Sequence, residues 1–249
     1  MSSLFSGWED AKGEGQPADT PEGPSVYTEM RLMGLLKTQE EVDKLLQCCS
    51  SAADVHCLSS WTDITLQTAV HSTGCMDMRK RAETPQEVTL RWYHEPGGVK
   101  DTCALYYQDQ GVLVGGLHAK KAAETAKVYC TQTTQAMRGV LRALGFRRLG
   151  SIHVKANVFH FKPKTARHVV LLLQQHFLDP QHTRPLWGQD CCWLVELQAR
   201  LSSDAAATAA AEAALAAVAE TLKPVVTLRK MDPKDYAEAE ANAMRAAAA

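Results

Sequence analysis

The chain has 249 residues, a formal net charge of −1 and 45 per cent apolar residues, room for one large core or two small ones. No apolar run approaches the roughly 20 residues a membrane helix needs, and the first residues lack a basic-then-apolar leader, so we expect a soluble, unsecreted protein with no membrane partner. The eight cysteines include two vicinal pairs, Cys48 with Cys49 and Cys191 with Cys192, and form no C-x-x-C, which favours small buried thiols over a disulfide framework or a zinc site.

Residues 1–25 combine Gly, Pro and Ser with Glu9, Asp10, Glu14, Asp19 and Glu22 against Lys12 alone, the composition of a disordered acidic tail. A single domain is expected over 26–234. It opens on a strand from Val26 to Leu36, with Tyr27, Glu29 and Arg31 on one face and Val26, Thr28, Met30 and Leu32 on the other. Thr38 and Glu41 fit a capping box, and Val42, Leu45, Leu46 and Cys49 form the buried stripe of the helix it opens. A loop holding Cys57 and Trp61 precedes a second strand over Asp63 to Val70, and Arg79, Lys80 and Arg81 fall in a polar loop. Glu87 to His94 is a third strand, ended by Pro96, Gly97 and Gly98. Thr102–Tyr107 and Val112–Leu117 flank a hairpin turn at Gln108 to Gly111.

A weaker strand over Lys127–Thr131 leads to the central stretch, Thr134 to Gln175. Met137, Val140, Leu141 and Leu144 recur at helical spacing, and Gly145 follows as a left-handed cap. Strand-like runs come next: Ile152 and Val154 against His153 and Lys155, then Val158 to Phe161, then Val169 to Leu173 beyond Pro163. The helix is expected to lie across an antiparallel sheet and plug its open side, with the core forming there. Trp193 to Leu201 alternates cleanly as a last strand. An Ala-rich helix follows over 203–223, held by Leu215, Val218 and Leu222 and stopped by Pro224. Val225 to Met231 is extended, Asp232-Pro233 breaks it, and 235–249 is an Ala/Glu-rich tail. About eight to nine strands with short helices packed on or plugging them indicate a mainly β, α+β protein, an antiparallel barrel or strongly curled sheet.

Charge is uneven along the chain. Between Glu124 and Asp179 there is no acid, while Lys127, Arg138, Arg142, Arg147, Arg148, Lys155, Lys162, Lys164 and Arg167 are basic. Arg147, Arg148, Lys155, Lys162, Lys164 and Arg167 are the candidate basic surface, suited to an acidic segment of a partner. Phe159, Phe161, Leu171 and Leu173 are the candidate partner interface, because the outer face of a barrel must be polar or covered. No catalytic, cofactor or metal site is expected. There is no Gly-rich phosphate loop, G-x-S-x-G or H-E-x-x-H; His153 and His160 read as strand-face residues; and Glu29, Glu87 and Glu196 read as solvated or paired surface groups.

Arg142-Ala143-Leu144-Gly145-Phe146-Arg147, the Val154 to Phe161 strand, Leu222-Lys223-Pro224, Leu228, Lys230 and Asp232-Pro233-Lys234 together resemble subunit 18 of the Mediator of RNA polymerase II transcription. The resemblance runs from Tyr27 to Lys234 and omits the tails and the alanine run. It implies a nuclear, non-catalytic scaffold in the Mediator head module, a coactivator working through protein–protein interfaces. The implied partners are a paired barrel of subunit 20, a tethering helix of subunit 8, other head-module subunits, RNA polymerase II and its initiation factors. It implies no cofactor. The family's barrel is also similar to that of triphosphate tunnel enzymes, whose first strand carries Glu-x-Glu-x-Lys; Tyr27, Glu29 and Arg31 stand at such alternate positions, without the first Glu and with Arg for Lys. Two alternatives follow: a metal-dependent triphosphate hydrolase, which the single carboxylate per strand disfavours, and a basic nucleic-acid-binding barrel, which the scarcity of aromatics near the charges disfavours.

Overall fold

A computed structural model describes residues 25–68, 86–94, 102–109, 124–162, 168–186, 192–201 and 205–230. The acidic tail, Arg79 to Arg81, Pro96 to Gly98, the strand expected over Val112–Leu117, Lys164, Arg167, Asp232-Pro233 and the Ala/Glu-rich end lie outside the described residues.

The order of elements is β1 (Ser25–Leu36), α1 (Gln39–Ala52), β2 (Val55–Thr68), β3 (Glu87–His94), β4 (Thr102–Asp109), β5 (Glu124–Thr133), α2 (Met137–Ala143), β6 (Phe146–Phe161), β7 (Val169–Phe177), β8 (Trp193–Leu201) and α3 (Ala205–Leu222). The eight strands close into an antiparallel barrel in the order β1-β5-β4-β3-β2-β6-β7-β8, with β8 returning to β1. Alternation decides which side chains enter the lumen. On β1, Tyr27, Glu29 and Arg31 point in while Met30 and Leu32 point out, and the register Glu29↔Arg200, Met30↔Ala199, Leu32↔Leu197 continues both faces onto β8.

Two strands run longer than their local pattern suggests. β2 begins at Val55, so Cys57 and Trp61 belong to the strand and not to a loop, because pairing from Val55↔His160 to Thr68↔Phe146 overrides the polar Ser59-Ser60. β6 is one 16-residue strand joining the runs around Val154 and Val158. Its register shifts between Thr65↔Gly150 and Leu66↔Arg148, which leaves Leu149 as the bulged residue.

Among the described residues the helices coat the barrel and none plugs it. The largest core lies between the outer faces of β1, β6, β7 and β8 and the helices α1 and α3, with Met30, Leu45, Phe159, Leu171, Leu197, Leu215 and Leu222 fully buried. Thr38 and Glu41 close the capping box that starts α1, each bonding the other's backbone amide. On α3 the alanines let the backbone come close: Ala211 and Ala214 are buried alongside Leu215, Val218 and Leu222. The helix after β5 does not cross an open sheet. Seven residues long, α2 rests on the outer faces of β2, β3 and β4 through Leu141 and Met137, and leaves Val140 and Leu144 at 50 and 68 per cent exposure. Two turns are too few to bury the whole expected stripe. Gly145 takes φ 90°, the left-handed cap its position requires.

Candidate functional site

The lumen holds the densest chemistry. Asp63 of β2 and Arg91 of β3 stand opposite in register and form a two-pronged ion pair, Nε to Oδ1 at 2.7 Å and Nη2 to Oδ2 at 2.9 Å. Trp61 Nε1 donates to the same carboxylate at 3.2 Å. The Arg91 guanidinium lies 4.8 Å from the Trp61 ring and 5.1 Å from that of Tyr106, whose hydroxyl meets Tyr93 at 2.9 Å. A second group joins β1, β7 and β8. Arg31 reaches Glu29 at 3.5 Å and Glu196 at 3.4 Å, Arg200 approaches Glu29 at 3.8 Å and covers the Tyr27 ring at 4.3 Å, and Gln174 donates to Glu196 at 2.9 Å. His176 Nε2 meets Gln174 Oε1 at 3.0 Å. Val154, Ala156, Val158, Val170 and Leu172 with Trp61 form an apolar part of the inner wall.

Among the described side chains, three lumen carboxylates each meet a guanidinium: Glu29 lies near Arg31 and Arg200, Glu196 near Arg31, and Asp63 on Arg91. Glu29 and Glu196, at 8 and 7 per cent exposure, are paired as the sequence suggests, but they are lumen groups and not surface ones. Opposite the apolar outer face of β1 and β8 they have nowhere else to go. Burial pushes the Glu29 carboxyl up; Arg31 and Arg200 oppose it, and Glu196 reinforces it. Burial also pushes His176 down to about 4. Glu87, on β3, is exposed.

Phe159, Phe161, Leu171 and Leu173 do point outward, but the chain itself covers them: all four sit beneath α1 and α3, at 0, 6, 0 and 0 per cent exposure. They hold the helices on and offer no free docking face. The basic residues are exposed where described, yet they do not form one surface. Arg147 and Arg148 stand at the start of β6 and Lys162 just past its end, about 46–50 Å along the strand at roughly 3.3 Å per residue. Lys155 lies between them on the outer face, its ammonium 5.7 Å from the Phe177 ring centre.

A cluster that sequence reasoning missed lies on the outer wall. Thr62 Oγ1 stands 2.8 Å from His94 Nε2 and 2.9 Å from His153 Nδ1, and His182 sets its ring edge-on to His153 at a centroid distance of 6.4 Å. The three histidines come from β3, β6 and the turn after β7. The available signal was parity: His153 alternates with the inward Ile152 and Val154, so it must face out with Thr62.

The sequence matches no family model and no curated protein. Among solved structures, the fold is similar to that of a chain in the Schizosaccharomyces pombe Mediator head module, with a TM-score of 0.62, 12 per cent identity, and coverage of 82 per cent of this chain and 98 per cent of that one. A protein from Pyrococcus horikoshii is similar at a TM-score of 0.48, with 13 per cent identity over 79 per cent of this chain and 89 per cent of the other. A Hippeastrum protein described as an adenylyl cyclase with a dominant triphosphatase activity is similar at 0.43, with 11 per cent identity over 80 and 87 per cent. At these identities the likeness concerns the fold alone.

Proposed function

We propose that the protein is a non-catalytic scaffold of the Mediator head module, in the position of subunit 18, acting in the nucleus as a coactivator for RNA polymerase II. The observation that carries the reading is the barrel likeness to a Mediator head-module chain, which spans 98 per cent of that chain. The motifs around Gly145-Phe146 and Leu222-Lys223-Pro224 point the same way. The partners that follow are the paired barrel of subunit 20, a tethering helix from subunit 8, and through them the polymerase and its initiation factors. The lumen supports the non-catalytic part. A metal triphosphate would have to displace a guanidinium from each carboxylate it used, and aromatic rings hold two of those guanidiniums in place. The separation of Arg147 and Arg148 from Lys162 likewise speaks against a continuous nucleic-acid track.

The test is purification of the tagged chain from nuclear extract at moderate salt, with mass spectrometry of what remains bound. Subunits 20 and 8 in near-equal amount are expected. Recovery of the protein free of Mediator subunits would sink the reading.

A further inference from the structure

On the outer wall, the faces of β2, β3 and β6, helix α2 and the turn after β7 line an open pocket of about 720 Å³. Among the described residues its fixed charges have one sign, Arg138 of α2 and Arg148 of β6, and the imidazoles of His94, His153 and His182 stand beside them, burial holding those of His153 and His182 below the ordinary histidine value. Among the described residues no carboxylate lines it. Asp179, the nearby acid that acts on His153 and His182, already accepts from the Thr183 and Arg184 amides at 3.0 and 2.6 Å and from the Thr183 hydroxyl at 3.1 Å.

Hydroxyls join the cations. A single Thr62 hydroxyl cannot donate to both His94 Nε2 and His153 Nδ1, so at least one of the two rings donates to its oxygen. Arg148 donates to Ser151 Oγ at the same wall. His182 holds φ 57°, uncommon for a residue with a side chain, and its Nε2 is buried without a hydrogen-bonding partner in the protein. A buried imidazole nitrogen of this kind is costly unless a water or a ligand meets it. Ile64 and Trp92 supply an apolar floor.

We propose that this pocket binds the phosphate of a phosphorylated serine or threonine in a peptide segment of a protein partner. Two guanidiniums and three imidazoles beside a hydroxyl wall offer more donors than the two oxygens of a carboxylate use. A phosphate monoester brings three terminal oxygens and a charge of about −1.5 to −2. The pocket is far larger than a phosphate, and the apolar floor suits a side chain flanking the modified residue. The site lies outside the lumen, and the proposal stands or falls without the Mediator reading.

The test is fluorescence anisotropy of the full chain with pools of labelled peptides, random except for a central serine, phosphoserine or glutamate. The phosphoserine pool should bind at least about tenfold more tightly than the glutamate pool, a difference of roughly 1.4 kcal/mol, and the serine pool should not bind measurably. Arg138→Glu and Arg148→Glu should each weaken binding about tenfold by the same measure. Arg138 is exposed on α2, so an unchanged unfolding curve separates lost binding from lost fold. Equal affinity for the glutamate pool overturns the proposal, as does indifference to both charge reversals. Tighter binding of inorganic phosphate or of an oligonucleotide than of the phosphoserine pool overturns it as well.

Discussion

His176 is neutral in the folded lumen, held down to about 4 by burial against the usual 6.5. Asp63 and Glu196 pull its basicity back up, Arg91 pushes it further down, and Gln174 bonds its Nε2. The unfolded chain thus binds a proton that the folded chain refuses between those two values. This contribution to stability is present above about pH 6.5 and is lost as pH falls towards about 4. Glu29 has the opposite sign, since its raised carboxyl favours the fold below its unfolded pKa and loses that contribution as pH rises through the folded value. The two are separated by variant: His176→Gln should flatten the acid limb of a stability–pH curve measured by urea unfolding, and an unchanged limb would show that His176 is not its source. Asp63 and Arg91 call for a cycle. Removing either partner alone strands a partly buried charge and should cost about 3–5 kcal/mol, whereas Asp63→Leu with Arg91→Met should cost clearly less than the sum. Additive losses in unfolding midpoint would mean that the pair is not coupled.

At the scale of elements, the segment after α3 is the exposed point of control. Met33 and Arg229 exchange backbone hydrogen bonds at 2.8 and 2.9 Å, so residues 226–229 strap against β1. A Cβ on Gly34 would stand 2.9 Å from both Thr227 O and Val226 Cγ2, and the backbone oxygen cannot rotate away. Gly34→Ala should lift the strap at a cost of about 1–3 kcal/mol, seen as faster amide exchange at Arg229 with β7 and β8 unaffected. Protection of Arg229 at its original level would rule this out. Elements with a strong local signal were legible in the sequence: the Thr38–Glu41 box, the Glu29/Arg31 parity on β1, the alternation of β8 and the Gly145 cap. The first eight residues of β2 were not, because their strand state comes from pairing with β6, 100 residues away in the chain, and not from their own polar, serine-rich pattern. The stripe on α2 misled for a related reason: spacing marks a face, but the length of the helix limits how much of that face can be buried.

For the whole molecule, barrel closure was readable from strand count and connection length, but what covers the barrel was not. The apolar outer face around Phe159 and Leu171 gave the same pattern whether a partner or the chain's own helices were to cover it. The site was less legible than the fold. The paired lumen charges required the register across β2–β3 and β1–β8, and the histidine cluster required three elements to meet. With Glu29, Glu196 and Asp63 held by arginines, the chain should release no phosphate from tripolyphosphate or nucleoside triphosphates with magnesium or manganese. Metal-dependent hydrolysis that disappears in Glu29→Gln, with folding intact, would contradict that expectation.

Closure between β1 and β8 also sets a timetable for synthesis. Met30 and Leu32 leave the ribosome more than 160 residues before their neighbours Ala199 and Leu197. At roughly 5–20 residues per second, that leaves the first strand on the order of 10–30 s without its final partner. Because β5 appears sooner, one edge of β1 can be satisfied during this interval while the other stays open to whatever strand or chaperone arrives first. Productive yield in cells should therefore depend more on what shields β1 during translation than on the stability of the finished barrel.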